Sequence, residues 1–191
     1  MSDFSDRVWW TKKSRIKAEK RLLKLDFISQ ALLLWYSVFL ASYSIITLVI
    51  KVKNDAESAI MVALSVMVLV VTLFVNNMKF KERAMLMKQC YEQVGDVYSS
   101  ALVSEDLQTL DKEYQSILSI SENHKEIDFY RAVVEEFDNA KTKTDISKHP
   151  TDKQRNIIHC SNAIWGVVVV FLAVFPFLVV WFFRSFAQVC Q

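Results

Sequence analysis

The side chains of this 191-residue sequence that come nearest to a metal or proton-transfer site are His124 and Asp128, four positions apart, with Glu122 and Asn123 just before them. On a continuous helix that spacing puts both on one face. Two ligands leave a metal site incomplete, since zinc takes at least three protein groups. A polar helix start, with Asn123 capping and His124 hydrogen-bonding locally, explains the same residues. His149 and His159 flank a Thr/Asp/Ser/Pro-containing linker over Lys141–Lys153 and have no evident partner. The three cysteines, Cys90, Cys160 and Cys190, form no CxxC pair, no zinc spacing and no CaaX ending, and read as free thiols. Two glycines could hardly build a phosphate-cradling loop, and HExxH and GxSxG are missing. Neither enzymatic turnover nor a cofactor or metal is expected.

A second pattern is quieter but periodic. Ser58, Ser65 and Thr72 recur at seven-residue intervals and Asn76 continues the stripe; Ser37 and Ser44 repeat the spacing with Ala41 between them, as do Gly166 and Ala173. Small residues on one face let helices approach closely in lipid, so the stripe reads first as a helix–helix seam. Alternatively, Ser37, Ser44, Ser58, Ser65, Thr72 and Asn76 line a watery path in an oligomer.

Both readings need spanning helices to carry them. Hydrophobic residues make up 52% of the chain and concentrate in Leu32–Ile50, Ala59–Val75 and Ala163–Phe183, none of which holds a charge. About 20 such residues span a bilayer, and roughly 17 is the lower limit. With two glycines and two prolines the loops must be few. The expected fold is therefore an all-α membrane protein: an N-terminal amphipathic helix (1–30), a two-span hairpin (31–77), a cytoplasmic helical bundle (78–160) and a third transmembrane helix with a short tail (161–191). No cleavable signal precedes the first block, which reads as a retained anchor. Pro176 predicts a kink in the third block, because it removes a backbone donor. The absence of Asp, Glu, Lys or Arg within the blocks argues against coupled transport.

The net charge of +2 gives no reason to expect nucleic acid, but the basic residues are local. Residues 1–30 carry eight, among them Lys12, Lys13 and Arg15, beside Trp9 and Trp10. That combination suits a helix on the cytoplasmic leaflet; a solvated basic helix with one packed face, along Ile16, Leu22, Leu23 and Phe27, suits it equally. The short Lys51–Ser58 link is charge-balanced, whereas Lys79, Lys81, Arg83 and Lys88 follow the second block. The positive-inside rule then places the N-terminus and residues from Met78 onward in the cytoplasm and Arg184–Gln191 outside. Met85, Tyr91, Val94, Tyr98 and Leu102 suggest that the second span runs on as a long helix. A break at Ser104-Glu105-Asp106 leads to a helix over Leu107–Leu118, and another at Ser121–Lys125 to one over Ile127–Ala140. So small a bundle would be marginal alone, which favours packing between subunits.

Trp10-Thr11-Lys12, Arg15-Ile16 and Arg21-Leu22, followed by a tight span hairpin and then by Glu122-Asn123-His124 and Asp128-Phe129-Tyr130, resemble the SLATT family over roughly Trp9–Ala140. These are SMODS and SLOG-associating two-transmembrane effector domains; the similarity is closest to the reverse-transcriptase-associated branch. The resemblance implies a homo-oligomeric effector in the bacterial inner membrane that forms pores when infection is sensed. It further implies a partner system supplying a nucleotide signal or a reverse transcriptase. By the same analogy Glu122, Asn123, His124, Asp128 and Tyr130 form a recurring cytoplasmic feature at a structural or subunit contact. The third apolar block departs from the two-span pattern. A non-conducting anchor that recruits a partner through Met78–Ala140 is the alternative.

Overall fold

A computed structural model of the chain describes residues 3–50, 55–103 and 106–189, with the side chains of 50, 55–58, 145, 183–184 and 186–189 left aside. The described residues form helices and no strand: α1 (Asp3–Ile50), α2 (Asp55–Asn77), α3 (Phe80–Ala101), α4 (Leu107–Leu118), α5 (Glu126–Asn139), a 3-10 turn (Lys143–Asp145) and α6 (Asp152–Val189). Lys51–Asn54 of the expected hairpin link, Ser104 and Glu105 of the expected break, Cys190, and the side chains of Ser58 and Arg184 lie outside the description.

Helix ends follow from local hydrogen bonding. Asp106 caps α4 by accepting the Thr109 N–H at 3.2 Å. At α6, Thr151 and Gln154 satisfy each other's backbone N–H groups (3.3 and 2.9 Å), a Thr-x-x-Gln capping box legible in the sequence. The expected run-on from the second span does not form. Lys79 takes a left-handed backbone (φ 49°) between α2 and α3, a conformation costing a non-glycine residue about 1–2 kcal/mol.

The chain divides into two units: residues 1–26 with 80–162, and residues 27–79 with 163–191. In the first unit the leading stretch of α1 packs with α3, α4 and α5 as part of the core. Val8 joins Cys90, Val94, Val97, Tyr114 and Ile117 in one cluster; Ala18 and Leu22 join Ala84 and Met87 in another. The buried faces agree with the periodicity at Val94, Leu110, Tyr114, Ile117 and Val133 and differ at other positions on α1 and α3. On α3 the inward residues are Ala84, Met87, Cys90, Val94 and Val97, while Met85 and Leu102 face outward. On α1 the inward stripe is Ser5, Val8, Ser14, Arg15, Ala18 and Leu22, polar and small enough to hide among the lysines.

The second unit is apolar outward. Leu34, Ile45, Val62, Leu73, Val167 and Trp181 are each more than half exposed. Soluble monomers rarely show continuous apolar patches beyond a few hundred Å². Three helices are long and apolar enough to cross a membrane, carried by α1, α2 and α6. This is a helical membrane protein.

Candidate functional site: the apolar unit and the ion-paired face of the helical unit

Pro176 lies buried in α6. Lacking an N–H, it cannot bond the Leu172 carbonyl one turn earlier. The Tyr36 hydroxyl, from α1, donates to that carbonyl at 2.7 Å, and the Trp35 indole N–H donates to the next, Ala173, at 3.0 Å. Phe177 packs against Trp35 and edge-on to Phe39. In hydrocarbon each unsatisfied backbone group is costly, so α1 supplies what the proline removes. Sequence reading found Pro176 but not its partners. An aromatic pair with polar tips inside an apolar block was the available signal.

The small polar stripe stays on the surface of this unit. Ser37, Ser44, Ser65 and Asn76 are exposed and Thr72 is half-buried. The hydroxyls of Ser37, Ser44, Ser65 and Thr72 donate within their own helices to Leu33, Leu40, Val62 and Val68 carbonyls at 2.7–2.9 Å. Gly166 faces open space.

In the helical unit, basic residues of α1 meet carboxylates of α5 in an antiparallel ladder. Lys13 pairs with Glu136 at 2.7 Å and Lys17 with Glu135. Arg21 grips Asp128 with Nε at 2.9 and 3.2 Å and Nη2 at 3.0 Å. Asp128 is fully buried and also accepts the Lys125 N–H at 3.0 Å, closing the start of α5. Breaking such a buried pair typically costs about 3–5 kcal/mol. Lys17 holds the Glu135 carboxyl below the usual range, chiefly by its hydrogen bond.

These contacts change the placement of the residues read as membrane-surface. Trp10 and Arg15 are each only 2% exposed, so neither meets lipid. Trp10 donates to Ser147 at 2.8 Å and packs edge-on to Phe129. The Arg15 guanidinium donates to Cys90 Sγ at 2.8 Å, the Ser121 hydroxyl and the Leu118 carbonyl. Burial pushes the Cys90 thiol up, with Arg15 opposing. Lys13 is consumed by Glu136, and the Lys12 side chain lies over Gly95. Trp9 is half-buried, edge-on to Trp10 and beneath the Lys13 ammonium. The duller sequence reading, a helix with one packed face, describes the stretch better, although its inward stripe is a different one.

The Glu122–Tyr130 segment is a joint. Both Glu122 carboxylate oxygens accept from Arg83 Nη2, at 2.6 and 2.7 Å, and one of them also from Nε at 3.2 Å. Asn123 accepts the His124 N–H at 2.9 Å, and Tyr130 shares a hydrogen bond with Glu126. His124 precedes α5, so it and Asp128 do not share a helical face as the spacing allowed. Its Nδ1 is buried without a partner. Desolvation, then Arg15, lowers its pKa, with Asp128 opposing.

A family model described as SMODS and SLOG-associating 2TM effector domain family 5 matches residues 1–183. No curated protein and no solved structure matches the chain. The matched region runs through the third apolar block as well as the first two.

Proposed function

Because the chain belongs to the SMODS and SLOG-associating two-transmembrane effector domains, we propose that it is an oligomeric, pore-forming effector of bacterial antiphage defence. On activation it permeabilises the inner membrane. The observation that carries this is the stripe Ser37, Ser44, Ser65 and Asn76, left exposed on the surface of the apolar unit. Copies packed through small residues approach closely, and their hydroxyls and amides then wet a shared path. The chain itself performs no turnover and needs no cofactor in this reading. The helical unit sits in the cytoplasm, following the basic flanks, and receives its signal from a nucleotide-producing or reverse-transcriptase partner.

The test is dye release from liposomes holding the purified protein with a toxicity assay in cells. Ser65→Leu with Thr72→Leu, at equal expression, is expected to cut leakage at least tenfold and relieve toxicity. Unchanged leakage, with labelling that finds both positions lipid-buried, would sink the proposal. A second reading, a non-conducting anchor that recruits a partner, is favoured by Met85 near the start of α3 and Leu102 and Val103 just beyond its end, apolar side chains left exposed. It requires that function survive exchange of the apolar helices for unrelated spans.

A further inference from the structure

In the helical unit, α1, α5 and the start of α6 enclose a cleft of about 500 Å³ whose walls include Lys20, Arg21, Lys24, Arg131, Asn139 and Asn162. The three carboxylates in and beside it are already engaged. Glu135 is held by Lys17, Asp128 by Arg21 and Asp138 by Arg155. Three further cations line it without a direct carboxylate partner among the described residues. Lys20 and Lys24 stand one helical turn apart, Lys20 acting on Glu135 only through space, and Arg131 donates to a neutral group, the Asn162 side-chain oxygen at 2.9 Å. An arginine guanidinium and two ammonium groups lining one cleft supply the charge and donors that a phosphate requires. Apolar Val134 and Ile158 complete the lining.

The position of this excess charge along the chain narrows the choice of anion. Lys24 stands one turn before residue 27, and Asn162 directly precedes residue 163, the two points where the chain passes into the apolar unit. The groups that recognise phosphate therefore end where two membrane-bound helices begin, which is the level of lipid headgroups. Basic pockets on that side of helical membrane proteins attract anionic headgroups for the same electrostatic reason.

We propose that this cleft is a phosphate site whose occupant is the headgroup of an anionic lipid in the leaflet that α1 and α6 enter. The assignment does not rest on the pore reading, since a non-conducting anchor would bind the same headgroup. The test uses the full chain in phosphatidylcholine nanodiscs. Phosphatidylglycerol retained on the protein is counted by native mass spectrometry, and inorganic pyrophosphate serves as the soluble probe. Each basic residue near an anionic surface contributes about fivefold in affinity. The triple variant Lys20→Gln, Lys24→Gln, Arg131→Gln is therefore expected to retain phosphatidylglycerol about a hundredfold more weakly, with helicity unchanged. Single Lys20→Gln and Lys24→Gln variants, which remove no direct ion-pair partner among the described residues, are expected to lose about fivefold each and keep the test decisive if the triple variant misfolds. Retention equal to wild type in all variants would overturn the site. Variant-sensitive binding of pyrophosphate with no preference for phosphatidylglycerol would overturn the lipid as occupant.

Discussion

His124 is a neutral histidine held against a buried arginine, and its behaviour with acid follows from that. Its pKa is lowered from 6.5 by desolvation and by Arg15, more than Asp128 restores. Above 6.5 neither folded nor unfolded chain carries the proton; below it the unfolded chain takes the proton first, so stability falls as pH drops. The thermal midpoint of the helical unit is expected to decline between about pH 7 and pH 5.5, and His124→Gln to flatten that decline. A slope equal to wild type in the variant would assign the acid sensitivity elsewhere. The Glu135 pair does not confuse this window. Its carboxyl is lowered from 4.5, so its stabilisation is complete above that value and fades only as pH falls below it. The spacing of His124 and Asp128 invited a metal or proton-transfer reading only on a continuous helix; α5 begins at Glu126, in keeping with the break expected at Ser121–Lys125, and Asp128 turns back to close it.

At the scale of the element, α6 shows how a rule-breaking residue is accommodated. Proline in a helix interior removes one hydrogen bond and crowds the preceding carbonyl, and the Tyr36 hydroxyl occupies that freed acceptor. The two positions should therefore be coupled. Tyr36→Phe alone is expected to destabilise the apolar unit by about 1 kcal/mol, within the range of interhelical hydrogen bonds in membranes. In a Pro176→Ala background, where the helix recovers its own bond, the same change is expected to cost close to nothing. Reversible unfolding in bicelles or detergent would measure the cycle, and equal losses in both backgrounds would refute the coupling. The lost backbone donor was legible from Pro176 alone. The compensation was not, since residues 36 and 172 are far apart in sequence and only packing joins them.

For the whole molecule, the helical unit is built from two separate parts of the chain. Val8, Trp10, Arg15 and Leu22 are buried with α3, α4 and α5, so the first 26 residues are core and not appendage. Losing several buried side chains at about 2–5 kcal/mol each exceeds the roughly 5–15 kcal/mol that holds a domain together. Deleting residues 3–22 is expected to render 80–162 protease-sensitive while the protein remains in the membrane fraction. Protection unchanged by the deletion would show instead that the remaining helices fold by themselves.

Composition and block structure alone determined that this protein is helical and membrane-bound. Uncharged apolar runs of bilayer length have no stable alternative when loops are so few, and backbone groups in lipid can be satisfied only within helices or closed barrels. The helix order was mostly readable too, from apolar periodicity and from the helix start at Ser104-Glu105-Asp106, whereas the start of α6 at Asp152 fell inside the expected linker. Tertiary structure decided the rest. The basic residues of α1, with Trp9 and Trp10, satisfy equally a lipid surface and an acidic helix; only the approach of α5, with Asp128, Glu135 and Glu136, shows that Lys13, Lys17 and Arg21 are spoken for. That same accounting leaves Lys20, Lys24 and Arg131 without a direct carboxylate partner among the described residues. Charge can be counted along a chain, but its compensation depends on which side chains come within a few ångströms, and folding alone sets that.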